Sequence, residues 1–168
     1  MNPSRTLALA CLLVLVGCTG YESVRVEPAD RVAVALLPVR NEAYLPGFAP
    51  VVQERVREDL LRSRTVRLVT GPGEADRTLA LVLTDYQEAP LSFESDDTGI
   101  PSSAETELTV RARLENPASG TTRETEVRVR EPVFADSGSF VGPLDQSQSI
   151  LAGRVARKVR AWVEQSVR

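Results

Sequence analysis

The chain has 168 residues, with 20 Lys and Arg against 23 Asp and Glu, and it contains no His. This length suits a single domain, and the hydrophobic and charged fractions of 42% and 26% are typical of a folded protein. The absence of His excludes Ser-His-Asp catalysis, Cys-His catalysis and every His-ligated metal site. The net charge of −3 argues against a general nucleic-acid binder, because such proteins carry a strongly basic face.

Residues 1–17 have the pattern of a secretory signal peptide. One positive charge, Arg5, precedes an unbroken apolar run over residues 7–16. A run of this length rises only about 15 Å as a helix, which is too short for a hydrocarbon core of about 30 Å. The run is therefore predicted to be the hydrophobic region of a signal peptide rather than a membrane span.

The apolar run ends in Leu-Val-Gly-Cys at residues 15–18. This sequence resembles the lipobox of bacterial lipoproteins, in which the chain is cut before a Cys whose thiol carries lipid. The resemblance implies cleavage between Gly17 and Cys18 and lipid attachment at Cys18. The alternative is an ordinary secretory signal with a chance Cys. Two or three acyl chains anchor a protein durably, so we expect a membrane-anchored N-terminus.

Lipid attachment accounts for both cysteines of the chain. Cys11 leaves with the signal peptide and Cys18 carries the lipid, so no thiol remains for a disulfide. Thr19 follows, whereas an Asp at that position favours inner-membrane retention in the better-studied lipoproteins. We therefore expect an outer-membrane lipoprotein in which residues 18–30 form a polar tether.

Residues 31–168 are predicted to form one α+β domain. Residues 31–39 are apolar almost throughout, which is typical of a central strand buried on both faces. Residues 47–64 are predicted to be a helix, with Val51 and Leu61 widening its apolar stripe. That stripe repeats every four residues, at Phe48, Val52, Val56 and Leu60.

Three segments then alternate apolar and polar side chains, at residues 78–86, 105–115 and 121–131. This alternation predicts antiparallel strands with one solvated face. The turn residues 116–120 join the last two strands as a hairpin. The short apolar stretch at residues 66–69 is left unassigned.

The last element is predicted to be a helix over residues 145–167, with Asp145 and Gln148 as a capping box. Its apolar stripe comprises Ile150, Leu151, Val155, Val159, Trp162 and Val163. The order β-α-β-β-β-α predicts two helices packed on one face of a mostly antiparallel four-stranded sheet.

Two charged regions have both a structural and a functional interpretation. Residues 150–168 carry five basic groups and one acid. We favour a helix whose cations suit its own dipole over a basic stripe for an anionic partner. Residues 86–107 contain no Lys or Arg. Their carboxylates at Glu94, Asp96 and Asp97 offer oxygen ligands but lack EF-hand spacing, so we predict no metal site.

No catalytic motif is present in the sequence. The Gly-Pro-Gly at residues 71–73 lacks the Gly-Lys-Ser/Thr that completes a phosphate-binding loop, and there is no Gly-x-Ser-x-Gly. We therefore expect neither an enzyme nor a cofactor.

Four arginines share the polar face of the predicted hairpin: Arg111, Arg113, Arg128 and Arg130. If the helices cover the apolar face, these side chains project from the open face of strands about 4.8 Å apart and could converge on a phosphate. The alternative, which the interleaved acids favour, is ion pairing with Glu107, Glu115, Glu124 and Glu126.

Seven short motifs follow one another along the chain, at residues 17–21, 38–41, 46–47, 66–69, 74–76, 83–86 and 90–93. In this order they resemble the LptE-type family of lipopolysaccharide (LPS) assembly lipoproteins. The resemblance covers nearly the whole chain after the signal peptide. Arg40 stands where that family commonly has an aromatic side chain.

The resemblance implies a non-enzymatic plug and assembly partner of the LptD β-barrel that binds LPS. It also implies two helices against a four-stranded sheet. We expect a lipid-anchored outer-membrane protein that faces the periplasm or sits in a barrel lumen and binds no nucleic acid. Arginine suits the phosphates of LPS, so the four hairpin arginines are the candidate LPS contacts. The alternative is a generic lipid-anchored periplasmic interaction module of another envelope assembly complex.

Overall fold

A computed structural model describes residues 31–93, 101–134 and 144–168. The signal peptide, the tether and the lipid-attachment residues Gly17 and Cys18 lie outside the described residues. The acidic residues considered as metal ligands lie outside them as well: Glu94, Asp96 and Asp97.

The described residues form six strands and two helices. The strands are β1 (Val32–Leu36), β2 (Arg40–Asn41), β3 (Val66–Val69), β4 (Arg77–Phe93), β5 (Pro101–Glu115) and β6 (Thr122–Phe134). The helices are α1 (Phe48–Leu61) and α2 (Leu144–Ser166), and neither helix is both long and apolar enough to cross a membrane.

All six strands belong to one sheet with the order β3-β1-β4-β5-β6, and β2 pairs with β4 beyond the end of β1. β1 is parallel to both of its neighbours and β2 is parallel to β4, whereas β4, β5 and β6 form an antiparallel meander. The three central residues of β1 are buried, as expected for a central strand.

The α+β class is confirmed, but the predicted sheet of four mostly antiparallel strands is corrected to a mixed sheet of six. β3 has four residues and β2 has two, so neither is long enough to show the alternation that identifies a strand. β3 is parallel to β1 because the chain returns to it over α1, and such a crossover joins parallel strands.

The four-residue repeat of α1 is fully buried, as predicted, at Phe48, Val52, Val56 and Leu60. Val51 and Leu61 are exposed, so the apolar stripe is narrower than predicted. Gly47 precedes the helix with φ of 74°, a left-handed conformation that glycine adopts without steric cost.

The buried stripe of α2 repeats with the same spacing, at Leu151, Val155, Val159 and Val163. Ile150 was predicted to join it but is exposed, because it lies one residue outside the face that meets the sheet. Trp162 is only partly buried at the margin of the core. The core therefore lies between one face of the sheet and the two helices.

The two helices lie side by side and run in the same direction. Val51 and Ser149, both near a helix start, line the same shallow groove. At the other end, the Ser63 hydroxyl donates to Oε1 of Glu164 over 2.7 Å. Both helices therefore begin at the same end of the domain.

β4 continues well beyond β1 and β2 at that end. The last β2 pairing joins Asn41 to Leu83, whereas the ladder with β5 runs on from Asp85 opposite Thr109 to Phe93 opposite Pro101. We call residues 85–93 of β4 the overhang.

Candidate ligand groove on the open face of the sheet

The helices cover only one face of the meander. Leu108, Val110 and Ala112 of β5 are buried beneath them, whereas Arg111 and Arg113 lie on the opposite face and are exposed. The same alternation in β6 exposes Arg128 and Arg130. All four arginines predicted as a cluster thus lie on the open face.

Three of the four arginines are paired with acids. Arg113 lies between Glu115 and Glu124, with nitrogen–oxygen distances of 3.5 and 3.7 Å. The predicted ion pairing is therefore present at this position, and the Arg113 charge is largely compensated.

The two arginines of β6 are paired more closely. Arg128 contacts Glu126 of its own strand at 2.6 Å, and Arg130 contacts Glu107 of β5 at 2.6 Å. Since both guanidinium groups are held by carboxylates, they do not converge with those of β5 on one point.

Arg111 differs from the other three. It lies opposite Glu126 in the ladder, but Arg128 occupies that carboxylate. Among the described residues, no ion pair or hydrogen bond joins the Arg111 guanidinium to another group. Within the described part of the chain, Arg111 therefore presents an uncompensated positive charge on the open face.

Arg111 lines a groove of about 390 Å³ that opens where the chain leaves the sheet between β1 and β2. Pro38 lacks an N–H for the ladder, and the Val39 N–H donates instead to Oε1 of Gln53 on α1 over 3.2 Å. The apolar lining comprises Leu37, Pro38, Ala80, Leu81 and Val82.

The charges around the groove leave a net positive site. Arg40 is paired with Glu42, and Arg113 is paired with Glu124. Arg111 is the remaining charged residue of the lining. A guanidinium beside an apolar wall suits an anionic group, such as a phosphate, that is attached to an apolar moiety.

Sequence reasoning identified Arg111 but missed the groove. In the sequence, Arg40 differs only in standing where the LptE-type family commonly has an aromatic side chain. Strand alternation does not predict that residues 37–39 leave the sheet. Pro38 was the available signal, because proline cannot donate to a central ladder.

Two basic side chains of α2, Arg154 and Lys158, have a structural role along the outer edge of β6. Nη1 of Arg154 donates to the Arg130 carbonyl over 2.7 Å, and Nζ of Lys158 donates to the Arg128 carbonyl over 2.7 Å. Nη2 of Arg154 also lies 2.5 Å from the Glu131 carboxylate. These two cations therefore serve the sheet rather than a free basic stripe.

Within the described ranges, no three His, Cys, Asp or Glu side chains form a group that could hold a metal ion. The site therefore consists of guanidinium groups, carboxylates and an apolar wall.

No family model matches the chain, and no curated protein is similar to it. Solved structures share the fold at low identity. Protein XCC0632 from Xanthomonas campestris, described as DUF330, is 14% identical with a TM-score of 0.58, over 83% of this chain and 89% of that chain. Protein CT253 from Chlamydia trachomatis is 15% identical with a TM-score of 0.56, over 82% and 98%.

A third structure, rare lipoprotein B from Shewanella oneidensis, is 14% identical with a TM-score of 0.54, over 80% of this chain and 95% of that chain. At these identities the likeness shows the fold alone. The structures that share the fold include bacterial lipoproteins.

Proposed function

We propose that the chain is a non-enzymatic lipoprotein of the outer-membrane LPS assembly and export complex. In this role it is anchored at Cys18, faces the periplasm or sits in a barrel lumen, and acts as plug and assembly partner of an LptD-like β-barrel. It uses neither a cofactor nor a nucleic acid.

The observation that carries the proposal is a fold shared with a bacterial lipoprotein over 80% of this chain and 95% of that chain. The lipobox-like residues 15–18 and the order of the seven short motifs add support from the sequence. A rigid domain that fills or braces a barrel requires shape and polar surface rather than a reactive group, which agrees with the aliphatic core.

The groove beside Arg111 is the proposed LPS contact. LPS combines phosphates with acyl chains, and the groove combines an apolar wall with a guanidinium that has no partner among the described residues. Arg113, Arg128 and Arg130 remain secondary candidates, because their charges are already shared with carboxylates.

The barrel partnership is tested by isolating the protein from its native membrane in detergent through a C-terminal tag. The proposal expects a large β-barrel protein of the LPS-export type to co-purify in stoichiometric amount, as measured by mass spectrometry. Stoichiometric recovery of a different envelope complex, without such a barrel, would contradict the proposal.

The anchor is tested by Cys18→Ala. The variant loses the acylated thiol, so it should accumulate uncleaved or be released from the membrane fraction, and its mass should show no acyl chains. Cys11→Ala is the matched control, since that residue leaves with the signal peptide. A Cys18→Ala protein that still carried lipid would refute lipid attachment at this residue.

A second candidate is a generic lipid-anchored interaction module of another envelope assembly complex. The observation in its favour is that the fold is not specific to one lipoprotein. XCC0632 shares it with a TM-score of 0.58, and rare lipoprotein B shares it with 0.54. The tagged isolation distinguishes the two candidates by the identity of the partner.

A further inference from the structure

The overhang carries a strand edge without a partner among the described residues. The last backbone contact on this edge is the Glu42 N–H, which donates to the Leu83 carbonyl over 2.8 Å. Beyond it, β4 continues to Phe93 with only β5 beside it in the described part of the chain. Unpaired edges of this kind are templates for an added strand.

The register identifies the backbone groups that face outwards. The Leu79 and Leu83 carbonyls accept from the β1 and β2 side, so Val82 faces β5. Val82 lies opposite Arg111, and the alternation of β5 then directs Thr109, and its partner Asp85, into the ladder between β4 and β5. The outward groups of the overhang are therefore those of Tyr86, Glu88 and Pro90.

Pro90 occupies a position that this geometry permits. Proline has no N–H, so it is tolerated where the missing donor faces away from the ladder. The free edge consequently offers two donors, from Tyr86 and Glu88, and three carbonyl acceptors. An added strand has room for about five residues at ~3.3 Å each.

Exposed apolar side chains lie close to both ends of this edge. Tyr44 is 94% exposed and follows Glu42 by two residues, where the chain leaves β4. It is the one non-glycine among the described residues with positive φ, at 55°. Leu91, at the far end, is 57% exposed. A solvated aromatic held in a costly backbone conformation is a feature of contact sites.

The charge of the edge defines its partner. Residues 84–91 contain Asp85 and Glu88 but no Lys or Arg. Burial raises the pKa of the Tyr86 hydroxyl, and the nearby Glu88 carboxylate raises it further. A strand that pairs here meets negative charge on both faces, which favours cationic side chains.

We propose that the overhang edge binds an extended cationic segment of a partner protein by strand addition. Backbone hydrogen bonds at Tyr86 and Glu88 supply the affinity, and Asp85 and Glu88 select basic side chains. This inference is independent of the role in LPS export.

The test uses the full chain without its signal peptide and a labelled heptapeptide of alternating Lys and Val, with both ends blocked. We expect saturable binding by fluorescence anisotropy. Glu88→Pro removes an outward N–H without breaking the ladder to β5, so it should weaken binding roughly tenfold. Glu88→Gln keeps the N–H and is the matched control, with a loss of about twofold to threefold at moderate salt.

A second measurement leaves the protein unchanged. The same peptide, methylated on alternate backbone nitrogens, should bind the wild-type chain roughly tenfold more weakly in the register that removes its edge-facing donors. The other methylation register should have little effect. This comparison holds even if Glu88→Pro lowers the melting temperature.

Three results would overturn the proposal. One is the absence of binding by the wild-type chain. Another is equal binding by Glu88→Pro and the wild type, together with insensitivity to methylation. The third is a dimer of the chain that Glu88→Pro dissociates and that the peptide does not disturb, because the edge would then accept a second copy.

Discussion

Two edges of the sheet, the outer edge of β6 and the overhang edge of β4, differ in what covers them. The outer edge of β6 is covered by α2, whose Arg154 and Lys158 side chains occupy the carbonyls of Arg130 and Arg128. The overhang edge of β4 has no such cover among the described residues and carries Pro90, two acids and exposed Leu91. At the β6 edge, side-chain hydrogen bonds occupy two of the backbone carbonyls that an added strand would need. At the overhang edge, only the acids and Pro90 limit which strand can pair.

The largest expected effect is on stability, and it distinguishes the buried face of α2 from its exposed face. Leu151 of α2 is 1% exposed and packs in the core between α2 and the sheet, so Leu151→Ala should lower the free energy of unfolding by about 2–5 kcal/mol. Its neighbour Ile150 is 46% exposed, and Ile150→Ala should change stability by about 0.5 kcal/mol or less. Urea unfolding of both variants measures the difference, and equal losses would contradict the placement of α2.

Opening the β6 edge should have an intermediate effect. Arg154→Ala with Lys158→Ala removes both donors to the edge carbonyls, at a cost of about 0.5–1.5 kcal/mol for each hydrogen bond. The uncovered edge should also increase concentration-dependent self-association, as measured by light scattering. Arg157→Ala on the same helix is the control. If the double variant matched this control in melting temperature and scattering, the cations would not protect the edge.

The smallest effect on stability is expected at the groove. Arg111→Gln removes a charge without a described partner, so the melting temperature should remain within about 1–2 °C of the wild type. If the groove binds LPS, its affinity should fall roughly tenfold, which corresponds to the loss of one charge-assisted contact. The melting temperature and the LPS affinity are both measured on the purified protein.

Arg128→Gln provides the matched comparison, because it breaks the pair with Glu126 on the same face. We expect a small loss of stability and little change in LPS affinity. If Arg128→Gln weakened LPS binding as much as Arg111→Gln, the contact would extend over the whole open face and would not centre on the groove.

The sequence was sufficient to predict the elements with long regular patterns. The four-residue repeat that begins at Phe48 predicted α1, and the alternation around Val110 predicted β5 and its open face. β2 and β3 were missed because they are too short for a pattern. Their pairing depends on where the chain returns after α1, which is a property of the whole fold.

The candidate site was predicted only in part, because the sequence pattern gives the face of a side chain but not its contacts. Alternation placed all four arginines on one face, but it could not decide which carboxylate each would contact. Glu126 pairs with Arg128 and leaves Arg111 without a partner in the described ranges, although Arg111 lies directly opposite it. Likewise, the acceptors for Arg154 and Lys158 are backbone carbonyls, which carry no signature in the sequence.

The chain enters the domain at the end opposite the overhang. Val32 pairs with Thr65 at the end where the helices finish, whereas the overhang lies beyond the end where they begin. The intervening stretch of β4 is about 30 Å long at ~3.3 Å per residue. A lipid at Cys18 would therefore be joined to the domain at the end where the helices finish. Tyr44 and the overhang edge lie at the opposite end of the domain, so a strand added there would not meet the segment by which the chain enters β1.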